Sequence, residues 1–194
     1  MNNFNAINLW PNILGHNHYE NNIQPIKEII IKELANNEQT TESITTVNGK
    51  QITHSIDPWN WSYEEWQPIK KFVSSSLDQY VQTVYPHIQD SINPLVKRSW
   101  AIAYDENGYQ EPHCHPQMDL SGLLTIQPSS EGGEIVFTNP SVQSSYTNFQ
   151  PYAHKFRPEA GDLILWPAWW LHHTLPTKGP DQKIVISFDL KLYG

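Results

Sequence analysis

The sequence has little cysteine, little arginine and few charged residues of any kind. Cys114 is the single cysteine, which excludes a framework of intrachain disulfides. Arg98 and Arg157 are the only arginines and the net charge is −8, so the chain lacks the basic face of a nucleic-acid-binding protein. No apolar run approaches the roughly 20 residues of a membrane span, and the N-terminus shows no secretory pattern. These absences predict a cytoplasmic protein with neither a nucleic-acid nor a membrane partner.

Aromatic residues are abundant in this chain of 194 residues. They make up 12% of it and include eight tryptophans. That much ring surface favours a packed, β-rich body, and the chain is long enough to bury a core without crosslinks. We therefore expect a single domain spanning residues 1–194.

The first half of the chain, residues 1–95, has helical patterns and is expected to support the rest. Apolar residues at steps of three and four predict one helix over about 22–34 and a second over about 64–85. The polar stretch 36–53 between them predicts a loop or a weak hairpin, with its turn at Asn48-Gly49.

The second half, residues 96–194, has short apolar segments separated by proline, glycine and asparagine. Eight strands are predicted: Lys97–Tyr104, Gln110–His115, Leu120–Gln127, Glu134–Thr138, Ala153–Phe156, Asp162–Trp166, His172–Leu175 and Lys183–Leu190. This spacing is typical of a sandwich or barrel rather than of βαβ units. The predicted fold is mainly β, with the N-terminal helices packed on one sheet.

The tripeptide His113-Cys114-His115 is the most informative motif. Alternate side chains of a strand share a face, so the two imidazoles should point the same way and could bind one metal ion. The simpler interpretation is a pair of surface histidines at the end of a strand. Cys114 should face the opposite side, and because cysteine is usually buried we expect it in the core.

A third ligand would have to come from another segment, and His172-His173 is the obvious source. The pair follows the aromatic stretch Trp166–Leu171, where Pro167 ends one predicted strand. Adjacent residues of a strand face opposite ways, so only one of the two histidines joins such a site easily. Both could instead simply end an aromatic cluster.

An ordered set of short motifs between Trp100 and Phe188 resembles the iron(II)- and 2-oxoglutarate-dependent oxygenase superfamily. It is most similar to the small oxygenases of marine bacteria and cyanobacterial phages, which are distant relatives of prolyl 4-hydroxylases. The motifs are Pro112-His113-x-His115-Pro116, Leu120-Ser121-Gly122, Gly132-Gly133-Glu134, Pro158-x-x-Gly161-Asp162, Trp166-Pro167-Ala168-Trp169-x-x-His172 and Lys183-Ile184-x-Ile186-Ser187-Phe188. The resemblance implies a double-stranded β-helix, or jelly roll, with a metal inside its open end.

The resemblance also implies a ligand set for ferrous iron. His113 matches the first histidine of the superfamily and His172 the distal one. His115 stands where the wider superfamily carries Asp or Glu, which would give a site of three neutral imidazoles. Asp119, four residues later, is the alternative source of a carboxylate ligand.

Further positions match the binding sites for the cosubstrate 2-oxoglutarate and for the substrate. Lys183 stands where relatives use arginine to bind the distal carboxylate of 2-oxoglutarate. Ser187 lies on the same strand face as Lys183, and Thr125 stands where close relatives often have a tyrosine. Tyr104 and Trp169 are candidates to line the substrate site.

The implied activity is an oxygenase, specifically a hydroxylase, that uses Fe(II), 2-oxoglutarate and O2. The expected substrate is a small molecule or a protein side chain, and residues 1–95 could form a homodimer face. Phage relatives would act in the cytoplasm of the host. One alternative is a cupin-type metal dioxygenase or isomerase without 2-oxoglutarate. Another is a non-enzymatic binding module that uses exposed rings, namely Trp59, Trp61, Trp166, Trp169 and Trp170.

Overall fold

The computed structural model of the chain describes residues 12–36, 45–52, 57–87, 91–141 and 151–193. Its helices are α1 (Gln24–Asn36) and α2 (Trp66–Val84), with a short 3-10 turn at Pro58–Asn60. Its strands are β1 (Gly15–His18), β2 (Thr46–Ile52), β3 (Leu95–Gln110), β4 (Leu120–Gln127), β5 (Glu131–Gly132), β6 (Ile135–Thr138), β7 (Ala153–Phe156), β8 (Asp162–Pro167), β9 (His172–Thr174), β10 (Thr177–Lys178) and β11 (Lys183–Lys191).

The strands form two main antiparallel sheets, which we call the major and the minor sheet. The major sheet has six strands in the order β1-β8-β4-β11-β3-β2. The minor sheet has the order β7-β6-β9, and β10 pairs separately with β5. This non-sequential order of short antiparallel strands is that of a jelly roll, so the mainly β prediction is confirmed.

The major sheet separates two hydrophobic clusters. Ile184, Ile186 and Phe188 of β11 pack with the helices in one cluster. Val185 packs in the other cluster, together with Ile135 and Phe137 of the minor sheet. Because side chains alternate along a strand, the odd-numbered residues of β11 face the space between the two sheets. The candidate site lies in that space.

The two helices cover the outer face of the major sheet. Ile26 and Ile30 of α1 and Ile69 and Val73 of α2 are almost fully buried in the cluster that includes Phe188. Both helices begin about two residues later than the sequence pattern predicts. In α2 no side-chain hydrogen bond caps the N-terminus at Glu65. No helix in the described ranges combines the length and the apolarity that a bilayer crossing requires.

The N-terminal half also contributes two strands. The helical interpretation of residues 1–95 missed β1, whereas β2 lies in the stretch 36–53 that was predicted as a loop or a weak hairpin. β1 pairs with β8 at one edge of the major sheet, and β2 pairs with β3 at the other. The predicted turn at Asn48-Gly49 lies inside β2, where Asn48 has a φ of 47° and the register with β3 shifts. A left-handed residue can serve a bulge as well as a hairpin turn, which explains the misreading.

Candidate metal centre

Three histidines from two separate segments converge between the sheets. The backbones of His113 and His172 bond each other in both directions, with N···O distances of 2.9 and 3.0 Å. The backbone N–H of His115 donates to the carbonyl of Ala168 at 2.8 Å. One nitrogen from each imidazole lies within 4.8 Å of the other two, so the three rings could hold one metal ion.

The backbone that carries the first two histidines differs from the predicted strand. β3 extends only to Gln110, and His113 forms an isolated bridge while His115 lies in irregular backbone. The rings of His113 and His115 nevertheless lie 5.1 Å apart, because both segments are bonded to the 168–172 stretch. The two rings thus lie close together as the sequence predicted, but strand alternation is not what brings them together.

Each of the three rings is oriented by a hydrogen bond from Nδ1 to an oxygen acceptor. His113 Nδ1 donates to the carbonyl of Glu111 at 2.7 Å, and His172 Nδ1 donates to the carbonyl of Trp170 at 2.8 Å. His115 Nδ1 donates to the carboxylate of Asp189 at 2.6 Å. With the proton on Nδ1, each Nε2 keeps a lone pair for a metal.

The surroundings of His113 and His172 favour the neutral, metal-binding form of their imidazoles. Burial lowers the pKa of His113 to about 4, and burial together with the nearby His113 holds the pKa of His172 well below its usual value. Within the described part of the chain, Nε2 of His115 is buried without any hydrogen-bond partner. A buried nitrogen that no protein group satisfies fits a metal ligand.

Aromatic rings enclose the three imidazoles. Trp100 stacks on His115 with ring centroids 5.8 Å apart, and Trp166 meets His172 edge-on at 4.9 Å. Phe137 stacks on His172 at 5.9 Å. The imidazoles therefore lie against apolar ring surfaces.

The carboxylate next to the cluster is Asp189, which the sequence analysis missed. It is fully buried and lies on β11, two residues beyond Ser187 and therefore on the same face. The expected alternative, Asp119, lies outside the cluster. Its carboxylate instead accepts the backbone N–H of Leu192 at 2.8 Å and pairs with Lys191 Nζ at 3.3 Å.

Two neighbours of the cluster residues point elsewhere. His173 pairs with Val136 on the minor sheet, and alternation turns its side chain away from the face of His172. Cys114 is exposed, so the expectation that it packs in the core is wrong. The irregular backbone at this position removes the opposite-facing geometry on which that expectation rested.

Lys183, the candidate for binding the distal carboxylate of 2-oxoglutarate, is buried between the sheets with an exposed fraction of 1%. Its Nζ donates to the carbonyl of Gly133 at 2.7 Å and lies 5.5 Å from the ring centroid of Tyr104. Burial lowers the pKa of Lys183 to about 8, although the nearby Glu134 opposes this shift.

The other predicted site residues divide into those near the cavity and those outside it. Ser187 and Tyr104 line the cavity below the three histidines. Tyr104 donates its hydroxyl to Gln110 Oε1 at 3.0 Å, and burial raises its pKa well above the usual value, so the phenol stays neutral. Thr125 is fully buried, and its Oγ1 has no partner among the described residues. Trp169 does not line the cavity, because its ring is 56% exposed and stacks on Trp170.

The tryptophans proposed as a ligand-binding surface are largely structural. Trp61 and Trp166 are buried, and Trp59 packs edge-on against Phe188 with centroids 6.1 Å apart. Trp170 is half-buried and donates its indole N–H to the carbonyl of Thr138. Within the described ranges, this set leaves Trp169 alone as a mostly exposed ring, which is too little for a stacking platform.

The sequence of the second half matches a known protein family. Residues 98–189 match the model of the family described as "Putative 2OG-Fe(II) oxygenase". This segment is therefore similar to the 2OG-Fe(II) oxygenases. The match covers the segment that carries the three histidines and Lys183, and it confirms the resemblance found in the motifs. No curated protein has significant sequence similarity to the chain.

Solved structures of such oxygenases share the fold. A prolyl-4-hydroxylase from Pseudomonas putida superposes with a TM-score of 0.66 at 10% identity, covering 94% of both chains. A viral collagen prolyl hydroxylase from Paramecium bursaria Chlorella virus 1, in complex with 2-oxoglutarate, gives 0.59 at 14% identity, covering 91% of this chain and 94% of that one. HygX from Streptomyces hygroscopicus, with nickel and 2-oxoglutarate bound, gives 0.56 at 10% identity over 93% of this chain and 83% of its own.

The family and the site agree on the cofactors. A 2OG-Fe(II) oxygenase uses Fe(II) and 2-oxoglutarate, with O2 as the cosubstrate that is reduced. Imidazole suits iron, and three ligands on one side of the ion would leave positions for the cosubstrates. The buried, unpartnered Nε2 of His115 is the feature of this chain that fits the metal best.

Proposed function

We propose that the protein is a hydroxylase in which His113, His115 and His172 bind ferrous iron through Nε2. The observation that carries the proposal is the convergence of three imidazoles whose Nδ1 atoms all donate to oxygen acceptors. Fe(II) bound there with 2-oxoglutarate would activate O2: one oxygen atom would enter succinate as 2-oxoglutarate loses CO2, and the other would be inserted into a C–H bond of the substrate.

Lys183 is proposed to bind the distal carboxylate of 2-oxoglutarate. Its ammonium group has three N–H donors, and the carbonyl of Gly133 engages one of them in the structure. A carboxylate would restore the charged form of a lysine that burial otherwise disfavours. The hydroxyls of Ser187 and Thr125 are proposed to add hydrogen bonds, and the unpartnered Oγ1 of Thr125 supports this role.

The aromatic residues of the site are proposed to limit access of water and to offer no competing base. Trp100 and Phe137 cover the rings of His115 and His172, which limits water next to the metal. Tyr104 presents a neutral ring whose hydroxyl is held by Gln110, so it offers no base to the substrate. The substrate is proposed to be a small molecule or a protein side chain with an accessible C–H bond.

The decisive experiment measures succinate formed from 2-oxoglutarate with added Fe(II). Wild type should form succinate, and His172→Ala should lose this activity together with the metal. His87→Ala is the matched control, because His87 is exposed in the turn after α2 and outside the proposed site. Equal succinate from wild type and His172→Ala would show that the three-histidine site is not the catalytic centre.

A second comparison separates this proposal from a cupin-type enzyme that needs no 2-oxoglutarate. Calorimetry with Ni²⁺-loaded protein should show 2-oxoglutarate binding to wild type, and Lys183→Ala should weaken it strongly. Unchanged binding in Lys183→Ala would exclude the role given to this lysine. Wild-type protein that binds Ni²⁺ but not 2-oxoglutarate would favour the cupin alternative.

A further inference from the structure

We infer that Asp189 is a positioning residue for the metal centre and supplies the negative charge that a carboxylate ligand would otherwise supply directly. The superfamily resemblance places Asp or Glu where this chain has His115, so the ligand set itself carries no charge. Asp189 lies one hydrogen bond behind His115. The inference rests on the proposed function only in taking His115 as a metal ligand.

The position of Asp189 is fixed by the major sheet. It lies on β11 opposite Arg98 of β3, where β3 contains one extra residue between the pairs Asp189–Arg98 and Leu190–Val96. Such a bulge changes the direction of the neighbouring side chains. Asp189 has no exposed surface, and its Oδ1 lies 2.6 Å from Nδ1 of His115.

Arg98 fixes the orientation of the carboxylate. Its Nε forms an ion pair with Oδ2 of Asp189, which leaves Oδ1 for His115. The side chain of Arg98 is 47% exposed, so solvent screens its positive charge, whereas the carboxylate is fully buried. Arg98 also lies over the ring of Trp100, which stacks on His115, so these four side chains form a closed ring of contacts.

The consequence for the metal follows from charge and basicity. A carboxylate that accepts the Nδ1 proton makes the imidazole a stronger donor at Nε2 and fixes the ring toward the ion. His113 and His172 donate instead to backbone carbonyls, which are neutral acceptors. Among the three rings, His115 is therefore the one bonded to a carboxylate, and it occupies the position where the wider superfamily carries Asp or Glu.

The first test measures Co²⁺ binding to the full chain by calorimetry and by the visible spectrum of the bound ion. Asp189→Asn keeps the size of the side chain and should weaken Co²⁺ affinity about 10- to 100-fold and shift the cobalt spectrum. Asp57→Asn is the matched control. The carboxylate of Asp57 accepts hydrogen bonds from Trp59 and Ser99 and from none of the three histidines in the described part of the chain, so this change should leave affinity and spectrum unaltered.

The second test distinguishes a charge-supplying role from a purely structural one. In the His115→Asp background the ligand itself is anionic and has no Nδ1–H to donate. Adding Asp189→Asn there should change the Co²⁺ affinity less than about twofold, or tighten binding, because the second carboxylate is no longer needed. The same loss of affinity in both backgrounds would overturn the inference.

Failure of the inference and failure of the proposed function give different results. Wild type that binds no Co²⁺ overturns both, whereas Asp189→Asn that binds Co²⁺ like wild type overturns only the role of Asp189. If Asp189→Asn does not fold, nitrogen-15 NMR of the wild type can test the inference instead, by showing which nitrogen of His115 carries the proton. A downfield, slowly exchanging Nδ1–H on His115 supports the inference, and a proton on Nε2 overturns it.

Discussion

Lys183 and Tyr104 are register partners across β11 and β3, and the lysine Nζ lies 5.5 Å from the centre of the tyrosine ring. The ammonium group is buried against an aromatic face and one backbone carbonyl, with no carboxylate bonded to it among the described residues. Binding of an anion would therefore stabilise the charged form of the buried Lys183.

This burial predicts a pH-dependent affinity for 2-oxoglutarate. Burial lowers the pKa of Lys183 to about 8, so the free protein loses the positive charge as pH rises through that value. Because the charged amine is the form that binds a carboxylate, affinity should be highest below about pH 8 and fall up to about tenfold per pH unit above it. Calorimetry of the Ni²⁺-loaded protein across this range measures the effect.

The control for this prediction is Lys183→Arg, which stays protonated throughout. Its 2-oxoglutarate affinity should vary little with pH across the same range, although the larger guanidinium could bind less well. A wild-type profile that is flat through pH 8 would contradict the assignment of Lys183 to the cosubstrate.

A second prediction concerns Gly133, whose carbonyl accepts the lysine hydrogen bond. Gly133 has a φ of 73°, and a Cβ there would lie 3.3 Å from Cδ of Lys183. Gly133→Ala should lower the free energy of unfolding by about 1–2 kcal/mol through backbone strain. It should also weaken 2-oxoglutarate binding by displacing the lysine.

Gly179→Ala is the matched control for Gly133→Ala. Gly179 has a φ of 88°, and a Cβ there would meet Ser130 rather than Lys183. Urea denaturation should show a similar loss of stability in both variants, while calorimetry should show weaker 2-oxoglutarate binding in Gly133→Ala alone. Equal binding by the two variants would mean that Gly133 does not position Lys183.

The sequence predicted several strands of the second half well because turn residues separate them, although the strand predicted over Gln110–His115 does not form and β5 and β10 were not predicted. β4 and β7 have the predicted ends, and β11 extends only one residue further than expected. The strand β1 was missed, and β2 was predicted only as part of a loop or a weak hairpin, because both are polar segments at the two edges of the major sheet. Their pairing depends on the exposed edges of β8 and β3, which no local pattern reveals.

The histidines of the candidate site were visible in the sequence, but the carboxylate that bonds one of them was not predicted. His-x-His and a distal histidine are visible in the sequence, and alternation placed Lys183 and Ser187 on one face of β11. The same alternation reaches Asp189 two residues later, so a signal for it existed. What the sequence could not show is that irregular backbone brings His115 within 2.6 Å of that carboxylate.

The hydrogen bonds between Asp162 and the edge strand β1 should make the stability of the protein depend on pH. One oxygen of Asp162 bonds His16 at 2.9 Å and His18 at 2.8 Å, and the other accepts the backbone N–H of Glu159 at 2.7 Å. The hydrogen bond to Asp162, aided by Glu20 and Glu159, raises the pKa of His18. Burial acts to raise the pKa of Asp162, but the Glu159 N–H and the two histidines lower it overall.

The pKa shifts of His18 and Asp162 contribute stability over different ranges of pH. The raised pKa of His18 contributes stability below its unfolded value of 6.5, which is lost as pH rises through the folded pKa. The lowered pKa of Asp162 contributes stability above 3.8, which is lost as pH falls through its folded pKa. Both contributions are present between those two values.

Asp162→Asn should therefore destabilise the protein most in this window and less at either side. Loss of hydrogen bonds to a charged group predicts a decrease of about 1–3 kcal/mol in the free energy of unfolding there. Urea denaturation of both proteins as a function of pH measures the difference. A difference that does not vary with pH would show that Asp162 acts only through neutral hydrogen bonds.

The helical layer and the jelly roll are proposed to unfold as one unit, and Trp66 of α2 tests this proposal. Trp66 is fully buried in the cluster that also contains Leu124 of β4 and Phe188 of β11. Trp66→Ala should lower the free energy of unfolding by about 3–5 kcal/mol, whereas Trp169→Ala, at a mostly exposed ring, should change it by less than about 0.5 kcal/mol.

Far-ultraviolet circular dichroism reports the helices, and the visible absorption of bound Co²⁺ reports the metal centre. The two signals should be lost together at the same lowered urea concentration in Trp66→Ala. A cobalt signal that survives after the helices have unfolded would instead identify residues 96–194 as a separate folding unit.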